Sequence, residues 1–178
     1  RGEVIYRNAA SALELRVGLD RVAMAAADAK TDARLTWHGS YNGTPATLEA
    51  ITDSFDVLRR SDVPFGATVT MEVVGGRIEF RGGLARPLDF DGVRGATRIN
   101  LPDVGRFLAA LGATADLPAP VALTGELIRD DLDWRLDEVE GEVAGNAFRG
   151  VFELREGLRG VPDAVRLTAA FGTLDLDA

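Results

Sequence analysis

Apolar and polar residues alternate along most of the chain, which is the pattern of strands that bury one face and expose the other. In the first long segment, Leu13, Leu15, Val17 and Leu19 alternate with charged residues and glycine. Six further segments repeat this period of two, with their apolar positions at Leu35, Trp37 and Tyr41; at Ala67, Val69, Met71 and Val73; at Ile78, Phe80 and Leu84; at Val121, Leu123 and Leu127; at Phe148, Phe152 and Leu154; and at Val165, Leu167, Ala169 and Phe171. The pattern predicts a mainly β protein of about ten or eleven strands.

Short turn signals separate these segments. The dipeptides Asn42-Gly43 and Gly75-Gly76 tolerate positive φ angles and are typical of tight hairpins. Hairpins between consecutive strands predict an antiparallel meander rather than a parallel sheet with helical crossovers. Helical spacing of apolar residues occurs in only two short segments, residues 53–60 and residues 103–111, and the second follows Pro102. We therefore expect two short helices beside the sheet.

One heptapeptide pattern occurs three times: apolar, any, apolar, any, glycine, any, apolar. The copies begin at Leu35, Ile78 and Val121, which are 43 residues apart. A fixed spacing favours repeated structural units, although glycine-rich amphipathic strands also produce such matches by chance. We expect a single β domain over residues 1–178 made of repeated units, with sub-units at 1–62 and 63–178.

The predicted helices are too few to cover the predicted sheet. Ten strands spaced about 4.8 Å apart form a sheet nearly 50 Å wide, whereas one helix about 10 Å across covers roughly two strands. The apolar face must therefore be covered by the twisted sheet itself, by another repeat or by a ligand. Full closure gives a sandwich-like fold with a dry core, and partial closure gives a long, taco-shaped apolar groove. The sequence leaves both arrangements open.

If the groove forms, its lining follows from the alternation. The expected lining residues are the inward positions of six strands: Leu13, Leu15, Val17, Leu19, Leu35, Trp37, Val69, Met71, Ile78, Phe80, Leu123, Leu127, Phe148 and Phe152. Side chains of this kind would contact an apolar ligand.

Composition excludes several classes of function. The chain has 28 acidic and 20 basic residues and a net charge of -8, so we expect no nucleic-acid partner. It contains no cysteine and one histidine, His38, which argues against multi-histidine or cysteine-ligated metal sites. We expect no cofactor and no metal. The longest apolar run is far shorter than a membrane span of roughly 18 residues, and the chain begins with Arg1, so we expect a fragment of a longer protein.

No residue pattern indicates catalysis. His38 lies on the polar side of its strand beside Trp37, where a surface role is the simpler interpretation. The acidic residues between 130 and 142 lack the spacing of a calcium-binding loop. The chain has neither a Gly-x-Ser-x-Gly elbow nor a phosphate-binding loop. The sequence therefore predicts a protein that is not an enzyme.

Four segments in the second half together resemble the AsmA family. They are VALTGEL at 121–127, WRLDEVEG at 134–141, FRGVFEL at 148–154 and LDLD at 174–177, and they occur in the order typical of that family. Upstream, the segment that begins at Tyr41-Asn42-Gly43 resembles a hairpin of the same family. The likeness covers nearly all of the chain and is best from about residue 64 onward.

The resemblance implies a periplasmic β region of a Gram-negative envelope protein that is anchored in the inner membrane by an N-terminal helix absent from this sequence. Similar proteins, the TamB type and the eukaryotic bridge-like lipid transfer proteins, are thought to carry phospholipid in a groove built from repeated β units. The first hypothesis is thus a non-enzymatic module for outer-membrane biogenesis or phospholipid transport, with neighbouring repeats as partners. The alternative is a structural or protein-interaction β-sandwich with a closed core and no ligand.

Overall fold

In the computed structural model of the chain, the alternating segments form eleven strands that pair antiparallel in chain order. The structure describes residues 2–8, 13–25, 32–41, 43–60, 62–110, 119–157, 161 and 164–172. The strands are β1 (Gly2–Asn8), β2 (Leu13–Ala25), β3 (Ala33–Tyr41), β4 (Thr44–Thr52), β5 (Phe65–Val73), β6 (Gly76–Arg86), β7 (Asp91–Leu101), β8 (Val121–Asp130), β9 (Asp133–Val143), β10 (Asn146–Arg155) and β11 (Ala164–Phe171). The predicted antiparallel meander is confirmed.

The cross-strand register keeps the apolar positions of successive strands on one face. On β5, Val69 lies opposite Ala50 of β4 and Phe80 of β6. The polar positions alternate with them, so that Glu79 of β6 lies opposite Thr70 and Arg98. Because directly paired residues point to the same side of a sheet, the sheet has one continuous apolar face and one polar face.

The hairpin between β5 and β6 turns one residue earlier than the sequence predicts. Its loop residues are Val74 and Gly75, both with positive φ, while Gly76 pairs with Val73 and begins β6. Gly76 is buried, and a Cβ atom there would lie 2.6 Å from a side-chain carbon of Leu101. Gly75 thus adopts a positive φ in the turn, whereas the missing side chain of Gly76 leaves space for Leu101 of β7. In the β3–β4 hairpin, Gly43 has φ of 78°, and Asn42 lies outside the described residues.

One predicted helix forms as α1 (Val104–Ala110), between β7 and β8. The Asp103 carboxylate accepts a hydrogen bond from the Arg106 backbone N–H at 2.9 Å, as expected at a helix start. Residue 111 of the predicted segment lies outside the described residues. In the other segment, 53–60, only a 3-10 turn at Val57–Arg59 forms. Asp53 is held to β5 instead by two hydrogen bonds. Its N–H donates to the Gly66 carbonyl oxygen, and its carboxylate accepts a hydrogen bond from the Gly66 N–H.

The three heptapeptide copies lie on β3, β6 and β8, so they are three strands apart and then two strands apart. They therefore do not recur at one strand interval, and β3 runs opposite to β6 and β8 in the antiparallel order. What they share is a glycine on the apolar face, at Gly39, Gly82 and Gly125, where an added Cβ would collide with backbone atoms of a neighbouring strand. The division into sub-units 1–62 and 63–178 stays a prediction.

These glycines bend the sheet toward its apolar side. At Gly95, opposite Gly82, an added Cβ would lie 2.5 Å from the Arg81 carbonyl oxygen and 2.8 Å from the Phe80 ring. The neighbouring backbone thus occupies the space that a side chain would need on the apolar face. Glycine kinks of this kind introduce curvature into sheets. The apolar face is therefore the inner face of the bend.

The sheet stays open, and no sandwich forms from the described strands. Among the described strands, the two terminal ones, β1 and β11, each pair with a single neighbour. Among the described residues, no large side chain is fully buried. The best-buried apolar side chains are mostly small, and they are Ala33, Ala46, Ala50, Val73, Leu84, Val93, Leu101, Ala110, Ala119, Leu136 and Val139. Most of the larger apolar side chains on the inner face are only half-buried, so the face is incompletely covered.

Candidate functional site

An apolar cavity of about 540 Å³ lies on the inner face of the sheet. We call it the trough. Its lining runs from Met24 on β2 to Trp134 on β9, and so crosses eight strands. In a flat sheet these two strands would be about 34 Å apart. Side chains from strands this far apart along the sheet border one cavity because the sheet bends around it.

Four of the fourteen residues predicted to line a groove line the trough: Leu35, Val69, Phe80 and Leu127. Leu13, Leu15 and Val17 lie on β2, whose backbone pairs with β1 and β3. The other seven predicted residues belong to the same face as the trough by the register of their strands, and they are Leu19, Trp37, Met71, Ile78, Leu123, Phe148 and Phe152. They extend the apolar face beyond the trough. That any of these residues contacts lipid stays a prediction.

Two connections between strands add residues to the trough that the alternation did not predict. The β4–β5 connection contributes Phe55 and Leu58, and the β6–β7 connection contributes Pro87, Leu88 and Phe90. Leu88 is 83% exposed and Phe90 is 56% exposed, although both are large and apolar. A period of two identifies the faces of strands and carries no information about loops. The only signal in the sequence for these trough residues was that they are apolar and lie in short connections.

A charged side chain lies on the apolar face where β8 ends. The register places Arg129 opposite Val93 of β7 and opposite Trp134 of β9. The carbon of its guanidinium lies 4.8 Å from the centroid of the Trp134 ring and 5.6 Å from that of Phe90, within the range of cation–π interactions. Its Nη1 donates a hydrogen bond to the Phe90 carbonyl oxygen.

The carboxylate nearest to Arg129 is more closely engaged with the indole. Glu156 accepts a hydrogen bond from Trp134 Nε1 at 2.6 Å, whereas Arg129 Nη2 lies 3.5 Å from the same carboxylate oxygen. The Nε atom of Arg129 is buried without a hydrogen-bond partner, and only 14% of the side chain is exposed. A buried donor of a charged group is thus left unsatisfied beside the trough.

A second carboxylate fixes the connections at this end of the sheet. Asp91 accepts hydrogen bonds from Arg86, from its neighbour Gly92 and from Asp131 in the β8–β9 turn, the last two at 2.6 and 2.9 Å. The pKa of the Asp91 carboxyl is lowered to about 2. The largest cause is the hydrogen bond from the Arg86 guanidinium, and the backbone N–H donors also lower it. Asp91 therefore joins the β6–β7 connection, which carries Phe90, to the β8–β9 turn.

Acid is expected to weaken this junction. The pKa of Asp91 is about 2 in the folded chain, below the ordinary value of 3.8, so its stabilising contribution is present above about pH 5 and is lost as the pH falls toward 2. Urea unfolding at pH 6 and pH 3 should therefore show a smaller loss of stability on acidification for Asp91→Asn than for the wild type. The control is Asp89→Asn, which changes an exposed aspartate two residues away. Equal losses for Asp91→Asn and the wild type would contradict this role.

His38, the single histidine of the chain, does not line the trough. His38 is exposed on the polar face, as predicted. The described part of the chain contains no group of three or more histidine, aspartate or glutamate side chains placed to hold a metal ion. Within the same residues, no helix is long and apolar enough to cross a membrane.

Comparison with known protein families, with curated proteins and with solved structures finds no match to this chain. The site is therefore interpreted from its own geometry. An almost wholly apolar trough that remains partly open suits a hydrocarbon chain better than a polar metabolite.

Proposed function

We propose that this chain is a non-enzymatic module that binds the acyl chains of lipids along the inner face of its sheet. In the fuller form of the proposal it is a periplasmic part of an AsmA-like protein, and it assists outer-membrane biogenesis or phospholipid transport. The observation that carries the proposal is the trough, which unites apolar side chains from β2 to β9 and leaves most of them half-covered.

The energetics of the trough favour chains over other ligands. Each methylene group removed from water contributes about 0.8 kcal/mol, so a chain of a dozen carbons gains of order 10 kcal/mol before the cost of association. The half-buried walls, among them Val69 and Phe80, would be covered at the same time. A hydrocarbon ligand thus supplies the apolar contacts that the open sheet does not supply to itself.

The AsmA-like part of the proposal rests on the sequence resemblance and on what its segments do in the fold. Three of the four resembling segments fall on β8, β9 and β10, and the fourth, at 174–177, lies outside the described residues. Each places a glycine on the apolar face, at Gly125, Gly141 and Gly150, where an added Cβ would lie within 3 Å of backbone atoms of a neighbouring strand. The resembling segments therefore carry glycines of the same kind as Gly82 and Gly95, which bend the sheet.

Uptake of an apolar probe tests the proposal directly. Delipidated protein titrated with N-phenyl-1-naphthylamine, a neutral dye, should show saturable fluorescence enhancement, and dodecanoate should displace the dye. Native mass spectrometry of the protein after mild extraction should show acyl lipid bound at a defined stoichiometry. A folded protein that takes up neither dye nor dodecanoate, and carries no lipid, would contradict the proposal.

A second candidate is a protein-interaction module that acts through its sheet edges. All eight residues of β11 are exposed, and within the described part of the chain the strand pairs only with β10. An unpaired edge can accept a strand from a neighbouring repeat or another protein. The dye titration separates the two candidates, because a module that works only through its edges leaves the trough without a ligand and the fluorescence unchanged.

A further inference from the structure

We infer that Arg129 binds an oxyanion head, the carboxylate or phosphate of the amphiphile whose chain lies in the trough. This inference rests on the proposed function and adds the chemical class of the ligand's polar end. Phe90 and Trp134 both line the trough, and the Arg129 guanidinium packs against both rings. The positive charge therefore lies at the edge of the apolar cavity, where the head of an amphiphile must end.

The hydrogen bonding of Arg129 is incomplete in a way that an oxyanion would complete. Arginine carries five N–H donors in a planar fork that matches carboxylate and phosphate oxygens. In the structure, Nη1 binds the Phe90 carbonyl, Nη2 makes only a long contact of 3.5 Å to Glu156, and Nε has no partner. An oxygen placed against Nε and Nη2 would satisfy both atoms with one ligand.

The neighbouring carboxylates do not satisfy these N–H donors of Arg129. Glu156 is already engaged by the Trp134 indole at 2.6 Å. Asp91 and Asp130 are paired with Arg86 rather than with Arg129. An incoming oxyanion therefore competes mainly with Glu156, whose pairing with Arg129 is long. Phe90, one of the two rings beside Arg129, is 56% exposed, so this end of the trough lies close to the protein surface.

Matched amphiphiles test the inference. Dodecanoate, dodecyl phosphate and neutral dodecanol share one chain length and differ in the head, and each is used to displace N-phenyl-1-naphthylamine from the delipidated chain. Since hydrogen bonds to charged groups are the strong ones, both oxyanions should bind at least tenfold more tightly than dodecanol. Comparing dodecanoate with dodecyl phosphate identifies the preferred oxyanion.

Two variants assign the preference to Arg129. Arg129→Gln should reduce the preference for oxyanions over dodecanol to less than threefold, whereas Arg149→Gln, which changes an exposed arginine paired with Glu140 on the polar face, should leave it unchanged. Glu156→Gln removes the competing charge and keeps an acceptor for the indole, so it should raise oxyanion affinity severalfold. This gain remains measurable even if Arg129→Gln folds poorly.

The outcomes separate this inference from the proposed function. Equal displacement by all three amphiphiles, or a preference that Glu156→Gln does not increase, would overturn the role of Arg129 and leave acyl binding intact. Failure of every amphiphile to displace the dye, or of the dye to bind, would overturn both.

Discussion

Gly95→Ala is expected to destabilise the fold by roughly 3 kcal/mol or more, at or above the upper end of the range for overpacked cores. The new Cβ would lie 2.5 Å from the Arg81 carbonyl oxygen, 2.6 Å from the Gly82 Cα and 2.8 Å from the Phe80 ring. Two of these atoms belong to backbone, which cannot move aside without breaking the pairing of β6 with β7. Urea unfolding followed by circular dichroism measures the loss.

The control for this prediction is Gly172→Ala, at the end of β11. An added Cβ there meets no atom within 4 Å, so the stability should change by less than about 0.5 kcal/mol. If Gly95→Ala were as stable as Gly172→Ala, the close approach of β6 and β7 on the apolar face would be wrong. The curvature that forms the trough would then need another explanation.

Val69→Asp is expected to lower the affinity of the protein for dodecanoate at least tenfold. Val69 lines the trough near its middle, between Ala50 and Phe80. An ionised carboxylate covered by a hydrocarbon chain loses its hydration without gaining a partner, which costs several kcal/mol. Displacement of N-phenyl-1-naphthylamine by dodecanoate measures the loss.

Thr68→Asp is the matched control, because it introduces the same charge one residue away on the exposed polar face. It should leave the affinity within about twofold of the wild type. Leu88→Asp is a second test and should also weaken dodecanoate binding, because Leu88 lines the trough. Since Leu88 is 83% exposed, this change should have little effect on folding. Unchanged dodecanoate binding in folded Val69→Asp would show that the chain does not lie in the trough.

The strands were predictable because each one is specified by its own residues. Alternation placed Val69 and Phe80 on the same face before any pairing was known, and the register confirms it. The β5–β6 turn was predicted one residue too late, since a glycine pair does not tell which member needs a positive φ and which needs space. Residues 53–60 had helical spacing, yet the bonds between Asp53 and Gly66 hold the first of them against β5.

The site was predictable only where strands build it. Leu35 and Leu127 were expected to line a groove and do line the trough. Phe55 and Phe90 were not, because loop residues have no period that reveals where they fold. Arg129 was not predicted as a site residue, because the sequence does not distinguish it from the other arginines. Its place beside Trp134 depends on the register of β8 with β9.

The sequence by itself determined that this protein is an antiparallel meander with one apolar and one polar face, because a period of two is a local property of the backbone. Only the tertiary structure decided that the sheet stays open and bends toward its apolar side. It also decided that two connections and a single arginine complete the trough. These features arise from contacts between residues far apart in the chain, such as Phe90, Arg129 and Glu156, and no local pattern records such contacts. Most of the larger apolar side chains therefore form a partly uncovered inner face rather than a dry core.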